Sequence, residues 1–270
     1  MKPQDIFLEG NSGHHLHLAD WGGNGPSVML LHGMGGHTHW WDPLIPFIGE
    51  RYHMVALDFR GHGDSEWAEP PHYQIKDYIS DIESAREKLG WEHFTLLGHS
   101  MGARVGLYYA ELYPNRLEKI ALLDFLLSRN KEEHTKFVRR KDQPQPIYPN
   151  EYEILQRFRL QPRGTTASPN LIQMLAKQSI RKRKDGSWTW KFDWRAFQLN
   201  IEPLEHLFSQ ISVPCLILRG EKSTVMSQED FQSALQKIKQ SSGAEIPKSY
   251  HHITLDQPEL VAKHITSFLD

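Results

Sequence analysis

A single cysteine, Cys215, stands in 270 residues, so no disulfide can form within the chain. It falls in the apolar run Pro214-Cys215-Leu216-Ile217-Leu218, where a buried thiol is expected. No hydrophobic run reaches membrane-spanning length, which predicts a soluble protein without membrane insertion. The first residues, Met1-Lys2-Pro3-Gln4-Asp5, lack the apolar core of a signal peptide, so a cytoplasmic location is the expectation. Strong charge of either sign is also missing. A net charge of -2 gives no general attraction to nucleic acid or anionic membrane, and no nucleic-acid partner is expected. The basic runs Arg181-Lys182-Arg183-Lys184 and Arg139-Arg140-Lys141 could steer an anionic substrate, but a solvated face explains them more simply. Internal repeats and low-complexity tracts are absent from the sequence, and nothing in it fixes an oligomeric state.

What is present centres on Phe94-Thr95-Leu96-Leu97-Gly98-His99-Ser100-Met101-Gly102. A strand pattern runs into Gly-His-Ser-Met-Gly, and helix-forming residues resume at Ala103. A strand that turns this sharply into a helix forces its central residue into a strained backbone, and the flanking glycines let the two segments approach. Ser100 then projects its hydroxyl from the fold. The Met101 amide, at a helix start, aims at any developing oxyanion.

The remaining elements alternate. Ile6 to Glu9 and His14 to Trp21 read as two short strands; His14, His15 and His17 alternate with apolar residues on an exposed hairpin, with no metal required. Val28-Met29-Leu30-Leu31 is a buried strand that enters His32-Gly33-Met34-Gly35-Gly36, whose Met34 N–H is the candidate second oxyanion donor. His37, His39 and Asp42 suggest a metal site superficially, but no further ligands follow at suitable spacing, and no metal is expected. Met54 to Asp58 is the next strand, before the turn Arg60-Gly61-His62-Gly63-Asp64-Ser65, whose Asp58, Arg60, His62 and Asp64 read as structural. Ile75, Tyr78, Ile79, Ile82, Ala85 and Leu89 recur at helical spacing, with Gly90 as the stop. Leu117 to Asp124 is a sixth strand with a carboxylate at its tip. This alternation predicts an α/β fold with a mostly parallel sheet flanked by helices, and chemistry at the carboxyl ends of the strands.

From residue 126 to 205 the strand rhythm stops. A charged, Pro-interrupted stretch, helical in its later part and carrying Trp188, Trp190, Phe192, Trp194 and Phe197, reads as a lid inserted after the sixth strand. Residues 1–125 and 206–270 then form the core. The sheet resumes at Val213 to Arg219, a helix spans about Gln228 to Ile238, and a last strand leads to Ser249-Tyr250-His251-His252 before a terminal helix.

These motifs resemble the α/β-hydrolase superfamily from end to end: His32-Gly33, the Arg60 to Ser65 turn, the elbow at Ser100, and His251-His252-Ile253-Thr254-Leu255-Asp256-Gln257-Pro258. The serine at position 100 points away from the dehalogenase and epoxide hydrolase branches, which use a carboxylate nucleophile. The resemblance places His251, rather than His252, at the base position, although Tyr250 stands where the family usually has glycine. The family commonly carries its acid after the seventh strand, where this chain reads Glu221-Lys222-Ser223-Thr224. Asp124, after the sixth strand, is therefore the expected acid, as in a serine esterase-like branch, with Glu221 as the alternative. The resemblance implies a Ser100-His251-Asp124 triad cleaving small to medium carboxylic esters through an acyl-enzyme, with Met34 and Met101 as oxyanion donors and no cofactor. Carbon–carbon bond hydrolysis, lactone opening and slow-turnover ligand sensing are the alternatives on the same scaffold.

Overall fold

The computed structural model describes residues 2–11, 13–128 and 131–270, without the side chains of Lys131, Glu133, His134 and Lys136. Eight strands form the main sheet: β1 (Gln4–Glu9), β2 (His15–Gly22), β3 (Ser27–Leu31), β4 (His53–Asp58), β5 (Phe94–His99), β6 (Leu117–Leu123), and, after three short strands described below, β10 (Cys215–Gly220) and β11 (Ser241–Ile246). Their order is β1-β2-β4-β3-β5-β6-β10-β11. The β1–β2 and β2–β4 pairs are antiparallel, and every other pair is parallel.

Period-two alternation divides the sheet residues between two cores. On one face Met29, Leu31, Leu96, Ile120, Leu122 and Ile217 pack in one cluster; on the other, Val28, Leu30, Leu97, Ala121, Leu123 and Leu218 pack in a second. Helices cover both. The short helix α1 (Ile45–Ile48) lies on the second face, whereas α2 (Ile75–Leu89) and α3 (Met101–Leu112) cover the first. The spacing read for α2 is the buried stripe Tyr78, Ile79, Ile82 and Ala85. Gln74 and Asp77 form a reciprocal capping box at its start, and Gly90 ends it in the left-handed conformation (φ 69°).

Between β6 and β10 the chain leaves the sheet. The insertion contains α4 (Lys131–Val138), β7 (Ile147–Tyr148), α5 (Glu151–Arg157), α6 (Pro169–Gln178), β8 (Ile180–Lys182) and β9 (Trp188–Trp190). Its later part is therefore not simply helical as expected: Trp188 and Trp190 lie on the central strand of a small antiparallel sheet, β7-β9-β8. Aromatic and β-branched residues at alternate positions favour strand pairing over helix here. Arg104 on α3 ties the insertion at both ends, donating to the carbonyls of Leu126 and Leu127 where it leaves and of Glu202 where it returns.

After the insertion come α7 (Glu205–Phe208), α8 (Gln228–Lys237), α9 (Ile253–Asp256) and α10 (Pro258–Leu269). Val261, Ala262 and Ile265 of α10 are buried on the second face of the sheet. Burying each large aliphatic side chain contributes about 1.5–3 kcal/mol.

Candidate active site

The elbow is built as its composition requires. Ser100 has φ 55° and ψ -112°, a conformation that costs a non-glycine residue on the order of 1–3 kcal/mol. Its neighbours must be small. A Cβ at Gly98 would lie 2.5 Å from the Gly102 carbonyl carbon, and one at Gly102 would lie 2.1 Å from the Leu31 carbonyl oxygen. Ser100 N–H donates to the Leu123 carbonyl at 3.0 Å, which fixes the elbow to the tip of the neighbouring strand.

Asp124 follows that neighbouring strand and is fully buried. It also has a positive φ of 40°. Its Oδ2 accepts from Gly220 N–H at 2.7 Å, and its Oδ1 accepts from Ser223 Oγ at 2.7 Å. The same Oδ1 lies 2.7 Å from His251 Nδ1, while His251 Nε2 lies 3.0 Å from Ser100 Oγ. Serine, imidazole and carboxylate therefore stand in one hydrogen-bonded line across 151 residues of sequence.

His251 reaches this line because its loop folds back from β11 over the tip of β10. Gly220 makes the crossing possible, since a Cβ there would meet the Tyr250 carbonyl oxygen at 2.1 Å. The loop is clamped by Asp256, whose Oδ2 accepts Tyr250 N–H at 2.7 Å and whose Oδ1 accepts Thr166 N–H at 2.8 Å and Thr165 Oγ at 2.5 Å. Asp256 thus joins the histidine loop to the insertion. Neither Asp256 nor Ser223 is assigned a role from the sequence, since each meets a partner from a distant segment, Thr165 and Thr166 for Asp256 and Asp124 for Ser223.

Glu221 is elsewhere. It is exposed, and its Oε2 accepts from Lys248 N–H at 2.6 Å. His252 makes no hydrogen bond to Ser100 among the described residues and meets the Trp40 ring edge-on at 5.1 Å. Burial, then the adjacent His251, pushes its pKa down to about 3.

Met34 and Met101 both line the cavity that contains Ser100. Met101 is the first residue of α3, where an amide has no intrahelical acceptor. Among the described residues neither amide donates elsewhere. The Met34 loop is held by His32, which lies 2.8 Å from the Gly33 carbonyl through Nδ1 and receives Phe59 N–H on Nε2 at 3.2 Å. These two bonds fix a neutral imidazole with its proton on Nδ1.

Among the described residues, two clusters bring three candidate metal donors within 4.8 Å of one another: His99, His251 and His252, and His17, Asp58 and Asp64. In the first, His99 Nε2 is bound to the His251 carbonyl at 2.9 Å, and His251 is engaged at both nitrogens. In the second, Asp58 accepts Thr38 N–H and Asp64 N–H as well as facing His17 Nδ1 at 2.7 Å. Hydrogen bonds already engage His99, His251, His17, Asp58 and Asp64, whereas both ring nitrogens of His252 are buried without a hydrogen-bond partner among the described residues. His37 and His39 belong to neither cluster and bond to Ser179 and Asp42.

The histidines in and just before β2 depart from expectation. His15 is exposed, but His14 and His17 are buried. The strand lies between β1 and β4, not on a free hairpin, and His14 Nε2 meets buried Asp81 at 3.1 Å. Burial opposes a charge on His17, yet the Asp58 hydrogen bond and charge hold its pKa above the usual value. Asp58, Arg60 and Asp81 are packed inside as structural groups, with Arg60 and Asp81 ion-paired at 2.6 Å.

Residues 26–258 match the family model described as the alpha/beta hydrolase fold. The chain belongs to the alpha/beta hydrolase family. It is 27% identical over 274 residues to a serine hydrolase-like protein of Danio rerio, covering 92% of this chain and 83% of that protein. It is 24% identical over 255 residues to an esterase of Mycobacterium tuberculosis, covering 93% and 85%. The crystal structure of E-2-(acetamidomethylene)succinate hydrolase superimposes with a TM-score of 0.86 at 23% identity, over 99% of each chain, and so shares the fold. Within this alpha/beta hydrolase the described helices include none long and apolar enough to cross a membrane.

Proposed function

We propose that this alpha/beta hydrolase is a serine hydrolase that cleaves carboxylic esters of small to medium acyl groups. The observation that carries the proposal is the position of His251, 3.0 Å from the Ser100 hydroxyl and 2.7 Å from the Asp124 carboxylate. Serine is a weak nucleophile near neutral pH, and an imidazole at this distance serves as its base. Asp124 holds the Nδ1 proton, so Nε2 faces Ser100 with its lone pair.

In the first half-reaction the Ser100 oxygen attacks the ester carbonyl while His251 takes the hydroxyl proton. The carbonyl oxygen becomes an oxyanion received by the Met34 and Met101 amides. Collapse breaks the bond to the alcohol, which leaves with the proton from His251, and an acyl-serine remains. Water then attacks the acyl-serine with His251 as base, releasing the acid and restoring the serine.

Residues 126–205 act in this scheme as a lid over the strand tips. Phe137, Tyr148, Phe158 and Trp190 of this segment line the same cavity as Ser100 and His251, a space of about 1050 Å³. That volume is at the upper end of small-molecule sites, which fits an acyl group with a substantial alcohol.

The test is hydrolysis of p-nitrophenyl esters of two to eight carbons together with covalent labelling by a fluorophosphonate. The expected result is turnover and labelling, both abolished in Ser100→Ala with a loss of about 10⁶ in kcat. Labelling without turnover would replace the enzyme with a ligand sensor on the same scaffold. Neither labelling nor turnover in folded protein would remove the serine reading altogether.

A further inference from the structure

Among the described residues, the wall of the cavity that holds Ser100 carries six cationic side chains, Arg104, Arg139, Arg140, Arg157, Arg159 and Lys191, and no Asp or Glu. Composition does not produce this asymmetry, since the chain has 31 Lys and Arg against 33 Asp and Glu. Two of the six have evident local duties. Arg104 ties down backbone carbonyls, and Lys191 pairs with Asp64 at 2.6 Å. The other four have no carboxylate partner among the described residues, although Arg159 also donates through Nη1 to the carbonyls of Gln156 and Phe158.

These four come from two places in the insertion. Arg139 and Arg140 lie in the short 3-10 segment after α4, and Arg157 and Arg159 lie at and just beyond the end of α5. The Arg140 guanidinium rests over the Phe197 ring at 5.4 Å, which holds it near the cavity wall instead of leaving it to roam in solvent. Aromatic side chains, Phe137, Phe158, Trp190 and Phe192, line the same cavity as this basic rim and Ser100. Cations of one sign around a low-dielectric wall focus a positive potential into the space they enclose.

We infer that the ester taken by this cavity is an anion, with a carboxylate or phosphate group at the end remote from the scissile bond. The planar fork of arginine matches both oxyanions with paired charge-assisted hydrogen bonds. The aromatic wall accommodates the carbon chain between that anion and the reacting carbonyl. This inference deepens the ester reading and rests on it for turnover, but not for binding of the anion.

The discriminating substrates are p-nitrophenyl hexanoate and mono-p-nitrophenyl adipate, which share a six-carbon acyl chain and differ by a methyl against a carboxylate. The adipate is expected to have a kcat/KM at least about tenfold higher at low salt, with the advantage shrinking toward parity in about 0.5 M NaCl. The double variants Arg139→Gln/Arg140→Gln and Arg157→Gln/Arg159→Gln should lower that ratio, whereas Lys184→Gln, outside the cavity, should leave it unchanged. A 5-phosphonopentanoate ester identifies the preferred anion: a ratio above that of adipate assigns phosphate, and one below it assigns carboxylate. Equal kcat/KM for hexanoate and adipate at every salt concentration, or a ratio untouched by both double variants, would overturn the inference.

Calorimetry of adipate binding to the Ser100→Ala variant separates this question from the catalytic one. Salt-sensitive binding weakened by the arginine variants supports the anion site even where no ester is turned over. Absence of binding in folded protein, while p-nitrophenyl hexanoate is hydrolysed by the parent, would leave the serine mechanism standing and remove the anion site.

Discussion

Replacing Asp124 by asparagine tests the proposed triad with little disturbance to the fold. Asp124 sits at φ 40°, a region that asparagine tolerates better than most residues, so the backbone can stay as it is. The carboxylate accepts three hydrogen bonds, from the Gly220 amide, the Ser223 hydroxyl and the His251 ring. An asparagine cannot satisfy all three. If its NH2 faces His251, the ring must shift its proton to Nε2 and present a donor to Ser100, which removes the base. If its carbonyl faces His251, the NH2 points at the Gly220 N–H and two donors oppose each other in a fully buried place.

Either arrangement also withdraws the negative charge that stabilises the imidazolium formed during attack. The corresponding change in the Ser-His-Asp template lowers kcat by about 10⁴, equivalent to about 5 kcal/mol of transition-state stabilisation. We expect Asp124→Asn to lose that much in p-nitrophenyl ester hydrolysis, measured at equal folded fraction by circular dichroism. Glu221→Gln is the comparison, because Glu221 is exposed and engages Lys248 N–H instead of the imidazole. It should keep activity within about twofold of the parent, the range of a surface change away from the site. Full activity in Asp124→Asn with loss in Glu221→Gln would refute the assignment of the acid.

Gly102→Ala should destabilise the fold by about 3 kcal/mol or more, because the new Cβ would lie 2.1 Å from the Leu31 carbonyl; a urea midpoint equal to the parent's would refute this. Asp256→Ala should cost about 2 kcal/mol or more by leaving Tyr250 N–H and Thr166 N–H without their acceptor, and should hasten limited proteolysis within residues 126–205. Stability should also fall on mild acidification. Burial holds His37, His62 and His252 down at about 3, and burial with its histidine neighbours holds His99 well below the usual value. Below about pH 6.5 the unfolded chain binds these protons and the native one does not, so each group removes up to about 1.4 kcal/mol per pH unit. His17, with its raised pKa, works in the opposite direction: its contribution is present below about pH 6.5 and fades as the pH rises through its folded value. His32 and His264 are lowered as well and His39 is raised as well, so among the described residues six lowered histidines against two raised ones predict a lower Tm at pH 5 than at pH 7, and an unchanged Tm would contradict the neutral burial of these rings.

Local chemistry was legible without coordinates. The glycines around Ser100 mark a strand-to-helix crossing because side-chain bulk there is excluded at contact distance. The α2 stripe and its Gly90 stop follow from a repeat of 3.6 residues, and the buried strands follow from short apolar runs that alternate with helices. The carboxylate at the tip of β6 was visible too, as were the histidine pair and Glu221. Each of those features rests on neighbours within a few residues. What the chain alone left open was which groups meet. His251 and His252 are adjacent in sequence, yet the turn of the loop over Gly220 sends one ring to Ser100 and the other to Trp40. His14 and His17 look like the polar face of a hairpin until β4 pairs with their strand and buried carboxylates receive them. Arg139 and Arg140 look like an ordinary solvated run until the insertion folds them onto a cavity whose described wall carries no acid. Local spacing dictates turns, periodicity and strain because those forces act over a turn or a strand. Convergence of distant groups depends on sheet order and loop return, and only the folded chain sets those.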